Sequence, residues 1–181
     1  HALKRLGAEP IFTSDPGAIR AADRVILPGV GAAGRAMQVL EQHDLVSVIR
    51  SLRQPVLGVC LGMQLLFESS EEDDAVLLGL IPARLARIPE SKALRVPHMG
   101  WNAIENLRAS ELTSGLDGKW FYFVHSYAAP TGEWTLSTSR HGQPFSAIVQ
   151  HENFYGAQFH PERSASAGAR LLRNFLEAPL V

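Results

Sequence analysis

Cysteine is nearly absent from this chain of 181 residues; the one present is Cys60. A single thiol excludes an intramolecular disulfide framework and any zinc site built from several cysteines. A reducing, cytoplasmic setting is the natural one for a thiol that must stay free. Excess charge is absent too. Lys and Arg number 17 against 18 Asp and Glu, a formal net charge of −1, and no basic stripe marks a nucleic-acid or anionic-membrane partner. No apolar run approaches the ~20 residues of a membrane-spanning helix, and no signal-peptide pattern is seen. No repeat, low-complexity tract or linker divides the sequence, so residues 1–181 read as one domain with enough chain to bury a real core. The Gly-rich turn Pro28-Gly29-Val30-Gly31 lacks the lysine of a phosphate-binding loop, and neither a metal nor a cofactor is expected.

What is present alternates strands with helices. His1 to Glu9 reads as the end of an amphipathic helix closed by Gly7; a helix end without a beginning sets the expectation of further chain upstream. Residues 10–13 read as a short strand, Ser14-Asp15-Pro16 as a helix start, and 18–22 as a short helix. Val25-Ile26-Leu27 is a continuous apolar run of the kind buried in parallel sheets. Helical spacing follows at Ala33, Met37 and Leu40, and again at Leu45, Val48, Ile49 and Leu52. Pro55 to Val59 reads as a strand and Met63 to Glu68 as a helix. The acidic run Glu71 to Asp74 reads as a solvated loop. Later strands are expected over 83–88, 103–105, 120–127, 134–139, 146–150 and 154–159, with turns at Asp117-Gly118, Thr131-Gly132 and His141-Gly142. A last helix starts at Ser164 or Ser166 and buries Leu171, Leu172, Phe175 and Leu176.

Cys60 falls between a strand and a helix, in Gly58-Val59-Cys60-Leu61-Gly62-Met63-Gln64. This is the pattern of a nucleophile elbow with sulfur in place of oxygen. A tight strand-to-helix turn brings backbone segments too close for side chains, which is what the glycines at minus two and plus two provide for. The helix start offers unpaired N–H groups to a thiolate and to an oxyanion. The bland alternative is a small buried hydrophobe. Near the other end, Gln158-Phe159-His160-Pro161-Glu162 supplies a base and a carboxylate two residues on. Pro161 disfavours helix at His160, so His160 and Glu162 are able to face one side. Cys, His and carboxylate are the parts of an activated-thiol triad. His98, His125, His141 and His151 compete for the base role, but none has a carboxylate two residues beyond a strand end. In an open parallel sheet sites form at the carboxyl ends of strands. Segments 25–27, 55–59 and 154–159 all end on candidate residues.

These motifs resemble the class I (triad) glutamine amidotransferases. Pro28-Gly29-Val30-Gly31, Val96-Pro97-His98-Met99-Gly100-Trp101-Asn102 and Tyr122-Phe123-Val124-His125-Ser126-Tyr127 narrow the resemblance to the glutaminase subunits of imidazole glycerol phosphate synthases, over essentially the whole chain. It implies an α/β, flavodoxin-like fold with a central, mostly parallel sheet flanked by helices and additional antiparallel strands in the second half. It implies that Cys60 attacks the side-chain amide of glutamine, that His160 moves the proton, and that Glu162 orients the ring. Leu61 N–H serves an oxyanion hole by the elbow geometry, and the resemblance adds Val30 N–H, whose peptide is expected to turn toward the site when a partner docks. Gly31, Gln64, Ser126 and Tyr127 are the implied glutamine-binding residues, and His98, Trp101 and Asn102 the implied partner-facing ones. The implied partner is a (β/α)8-barrel cyclase, joined in a heterodimer. Family members open with a first strand and turn that this sequence does not contain, so an upstream strand is expected. Two rival readings remain open: the glutaminase part of another biosynthetic pathway, and a non-catalytic regulatory domain on the same fold.

Overall fold

The structure is a computed structural model that describes residues 1–179. In its first half, α1 (Ala2–Arg5) and α2 (Pro16–Ala21) precede β1 (Val25–Leu27), α3 (Ala33–Gln42), α4 (Leu45–Arg50), β2 (Val56–Val59) and α5 (Leu61–Gln64). β3 (Phe67–Ser70), a 3-10 turn (Glu72–Asp74) and β4 (Ile81–Arg87) follow. The second half holds β5 (His98–Ala103), β6 (Trp120–His125), β7 (Tyr127–Ala128), β8 (Thr135–His141), β9 (Gln143–His151) and β10 (Phe154–Ala157), then a 3-10 turn (Pro161–Arg163) and α6 (Ala165–Glu177).

The central sheet has the order β1-β2-β10-β9-β8. β1, β2 and β10 run parallel, whereas β9 and β8 continue the sheet antiparallel. β3, β4 and β7 make a second sheet, and β5 with β6 a two-stranded ribbon. Alternation along β2 divides the core. Val56 packs with Met37, Leu40, Val48, Ile49 and Met63 on one face. Leu57 packs with Phe121, Phe123, Ile148, Phe159 and Phe175 on the other. Each such side chain, fully buried, contributes about 1.5–3 kcal/mol, so the layers that clamp β2 hold its carboxyl end in place.

Local chemistry explains the helix starts. Asp15 accepts from Ala18 N–H at 2.6 Å and Pro16 occupies the first helical position of α2, a side-chain cap with a pre-set φ. α3 has no cap from its own segment; Glu72 accepts from Ala33 N–H at 2.7 Å instead. Three of the four acidic residues of 71–74 are thus engaged: Glu71 accepts from Arg87 N–H and Asp74 pairs with Arg84. The solvated-loop reading of that run gives way to a brace between α3 and β4.

Other expectations are corrected. Residues 10–13 form no strand: Ile11 and Phe12 are 83 % and 98 % exposed, and strand formation requires a neighbour to pair with. The helix expected over 63–68 ends at Gln64, because Phe67–Ser70 is drawn into register with β4 as β3. The strand placed at 103–105 lies earlier, at His98–Ala103, where it pairs residue for residue with β6. Ser164, not Ser166, stands before α6, yet its hydroxyl does not cap the helix. It donates to His160 O at 2.6 Å and accepts from Tyr122 N–H at 2.9 Å, stitching the His160 segment to β6.

Candidate active site

The site begins with two adjacent parallel strands. Val59 of β2 stands opposite Ala157 of β10, and Cys60 N–H donates to Ala157 O at 2.8 Å. Cys60 is therefore one residue past the end of β2 and His160 three past the end of β10, on one rim of the sheet. His160 N–H in turn donates to Tyr122 O at 2.9 Å, which fixes its height above the rim.

The turn at Cys60 is strained and tightly confined. Its φ and ψ are 54° and −111°, a region that costs a non-glycine residue of order 1–3 kcal/mol. A Cβ at Gly62 would lie 1.8 Å from Leu27 O, and one at Gly58 2.5 Å from Gly62 O. Only glycine lets β1, β2 and α5 meet so closely. The elbow leaves Leu61 N–H at the first position of α5, where no intrahelical acceptor exists.

His160 completes the arrangement. Its Nδ1 lies 2.8 Å from Glu162 Oε1. The Cys60 sulfur is the strongest influence raising the basicity of the ring and the Glu162 hydrogen bond the second; together they outweigh burial and push its pKa up to about 10. Burial acts to raise the Glu162 pKa, but the hydrogen bond from His160 and nearby charges prevail, so it sits below the usual carboxylate value. The Cys60 sulfur and the ionised Glu162 carboxylate thus hold the imidazole in its charged form.

Cys60 and His160 both border a cavity of about 310 Å³. Val30, Gly31, Leu61 and Gln64 line it on the side of β1 and α5, and Ser126 and Tyr127 on the side of β6 and β7. Gln64 is buried, and its amide donates to Tyr127 O and Gln158 Oε1, both at 3.0 Å. Two groups at the site had no role from sequence. Glu72 places a carboxylate in the same cavity; its membership of an acidic run concealed it. Gln158 lies under the nucleophile, Nε2 at 3.9 Å from Cys60 Sγ. It stands past the end of β10, where the chain bends at 158–159, so strand alternation did not point to it.

The implied partner-facing residues separate. Trp101 is 50 % exposed, but His98 is only 4 % exposed, so its ring is not a surface contact. It is stacked between His141 and Phe123. Asn102 is half-buried and donates to Arg140 O at 2.8 Å.

Comparison with known proteins decides the family. The model of the family "Glutamine amidotransferase class-I" matches residues 7–178. The chain belongs to the class-I glutamine amidotransferases. It is 49 % identical over 178 residues to "Imidazole glycerol phosphate synthase subunit HisH" of Escherichia coli (strain K12), covering 97 % of this chain and 90 % of that protein. To the protein of the same name from Xylella fastidiosa it is 52 % identical, covering 98 % and 89 %. Among solved structures, a glutamine amidotransferase superposes with a TM-score of 0.72 at 23 % identity, over 97 % of this chain and 89 % of that one. A putative GMP synthase component from Thermoplasma acidophilum gives 0.70 at 20 % identity, over 97 % and 83 %. These two likenesses establish the amidotransferase fold alone. Membership makes the chain a glutamine amidotransferase enzyme, which removes the reading as a non-catalytic domain.

Proposed function

We propose that this amidotransferase is the glutaminase subunit of an imidazole glycerol phosphate synthase. In this reading it hydrolyses glutamine at Cys60 and passes ammonia to a (β/α)8-barrel cyclase in histidine biosynthesis, working as a single catalytic domain in a heterodimer. The observation that carries the reading is that Cys60 and His160 share one cavity sized for one amino acid, with Glu162 bonded to the ring at 2.8 Å. The likeness to the relatives is not fragmentary, since about nine-tenths of each is matched.

His160 takes the thiol proton, and the sulfur attacks the side-chain carbonyl carbon of glutamine. The carbonyl oxygen takes the negative charge and receives Leu61 N–H, with Val30 N–H as second donor once the Gly29-Val30-Gly31 peptide turns over; one such donor is typically worth ~3 kcal/mol of barrier. His160, charged, gives its proton to the departing nitrogen as the C–N bond breaks. Ammonia and a γ-glutamyl thioester result. Acylation then removes the leading cause of the ring's high pKa, the facing sulfur. The imidazole becomes a usable base just when a water must be deprotonated to cleave the thioester. Glu162 holds the ring through Nδ1 in both halves. Gln64, Ser126 and Tyr127 seat the substrate, and Glu72, the carboxylate among the cavity's lining residues, suits its α-ammonium.

The partner face is assigned to the β5–β6 ribbon. Met99, Trp101 and Trp120 are exposed there, and Trp101 packs edge-on against Tyr122, which Arg163 covers. The ribbon's other end supplies His125 to the cavity wall. The test is glutamate release from glutamine, with and without the cyclase. Release is expected to rise in the complex and to vanish with Cys60→Ser; release that survives the substitution overturns the mechanism.

A further inference from the structure

A chain of hydrogen bonds with a single direction runs behind the glutamine cavity. His98 of β5 and His125 of β6 stand opposite each other in register, and His98 Nδ1 lies 3.0 Å from His125 Nε2. At one end, His125 Nδ1 lies 2.8 Å from Tyr127 O. At the other, Asn102 Nδ2 lies 3.3 Å from His98 Nε2. A carbonyl oxygen only accepts, so His125 carries its proton on Nδ1. Its Nε2 must then accept, so His98 also carries its proton on Nδ1. His98 Nε2 is left to accept from the Asn102 amide, whose orientation is set independently because Nδ2 also donates to Arg140 O and Oδ1 accepts from Ala103 N–H. Fixed ends thus dictate one neutral tautomer for each ring. A proton added to either ring would set two donors against each other.

The far end of this chain is a piece of the site. Tyr127 O receives His125 and also Gln64 Nε2; Gln64 Nε2 reaches Gln158 Oε1, and Gln158 Nε2 the Cys60 sulfur. The rings are not a metal site: among the described residues no group of three or more His, Cys, Asp or Glu is arranged to hold an ion. Nor are they solvent-exposed bases, since both are buried. Burial foremost, opposed for His125 by its bond to Tyr127 O and aided by neighbouring rings, lowers both pKa values, to about 4 for His98 and about 3 for His125.

We propose that His98 and His125 are positioning residues for glutamine: a neutral relay that aims the Tyr127 carbonyl at Gln64 and so holds the Gln64 side of the cavity in its substrate-receiving geometry. This deepens the reading of the site as a glutaminase and rests on it. Neither ring touches the reacting atoms. The relay acts through the Tyr127 peptide, so its loss weakens ground-state binding and transition-state binding alike and appears in KM more than in kcat.

The experiment uses the chain in complex with its cyclase. His98→Leu, which deletes the donor to His125, is expected to raise KM for glutamine roughly tenfold, the effect of one lost buried hydrogen bond, with kcat changed less than about threefold. His98→Asn restores a donor at the Nδ1 position and is expected to recover most of the loss. KM unchanged in His98→Leu, or no rescue by His98→Asn, overturns the proposal. Nitrogen NMR of the unsubstituted protein tests it without any variant. Both rings should show a protonated Nδ1 and an unprotonated Nε2 that do not titrate through neutral pH; the opposite tautomer, or an ordinary histidine titration, overturns it. Absence of glutaminase activity in the unsubstituted complex would instead strike the functional reading and leave the NMR result to judge the relay.

Discussion

Replacing the Cys60 sulfur is expected to lower the basicity of His160. The ring titrates at about 10, against an ordinary 6.5. At ~1.36 kcal/mol per tenfold change in proton affinity, that gap is roughly 5 kcal/mol of preference for the charged ring. Two partners supply it against the opposing effect of burial, with the sulfur the larger. Glu162 is bonded at 2.8 Å, but its side chain is 47 % exposed, so solvent screening holds its share to about 1 kcal/mol. Cys60→Ala should therefore bring the His160 midpoint down by most of the gap and leave it somewhat above the ordinary value. Adding Glu162→Gln should bring it to or below that value, because burial alone then acts. The assay is an NMR pH titration of the His160 ring in the three proteins. A midpoint that stays near 10 in Cys60→Ala refutes the reasoning, since the sulfur would then not face the ring.

Glu162→Gln in the active complex is expected to reduce kcat by about 10²–10⁴, measured as glutamate release, because an amide no longer stabilises the charged ring. Gly62→Ala is expected to prevent folding or to cost at least ~3 kcal/mol in urea denaturation, since the new Cβ meets Leu27 O at 1.8 Å. Stability should fall on the acid side. His98 and His125 have folded values below 6.5, so the stability tied to their neutral forms is complete above pH 6.5 and is lost as pH falls through about 4 and about 3. Glu162, also lowered, adds to the same limb. His160 works oppositely: its contribution is complete below pH 6.5 and is lost as pH rises through about 10. A melting-temperature profile against pH should show both limbs, and His98→Asn should flatten the acid one.

The residues of the elbow were legible because their geometry is local. Glycines two before and two after Cys60 announce the close approach that the structure shows. The run 25–27 and the helix faces at Ala33, Met37 and Leu40 were legible because their periodicity reflects burial directly. What failed was non-local. Residues 10–13 have strand-like composition, but a strand exists only where a neighbour pairs with it. Phe67 and Glu68 continue a helical pattern, yet register with β4 claims them for a sheet. Glu72 was hidden in a run of like charges, and its role comes from reaching across to Ala33 N–H and into the cavity. His98 looked like a surface residue beside Trp101. The alternation along β5 places the two on opposite faces only if their separation by three residues is counted.

The backbone at position 60 bends where glycine would be at ease and cysteine is not. Every mutation that swaps the nucleophile for glycine relieves that discomfort while abolishing turnover. An inert protein free of that backbone strain is therefore one codon change away. Only continued demand for its product keeps the sulfur where the fold would rather not have it.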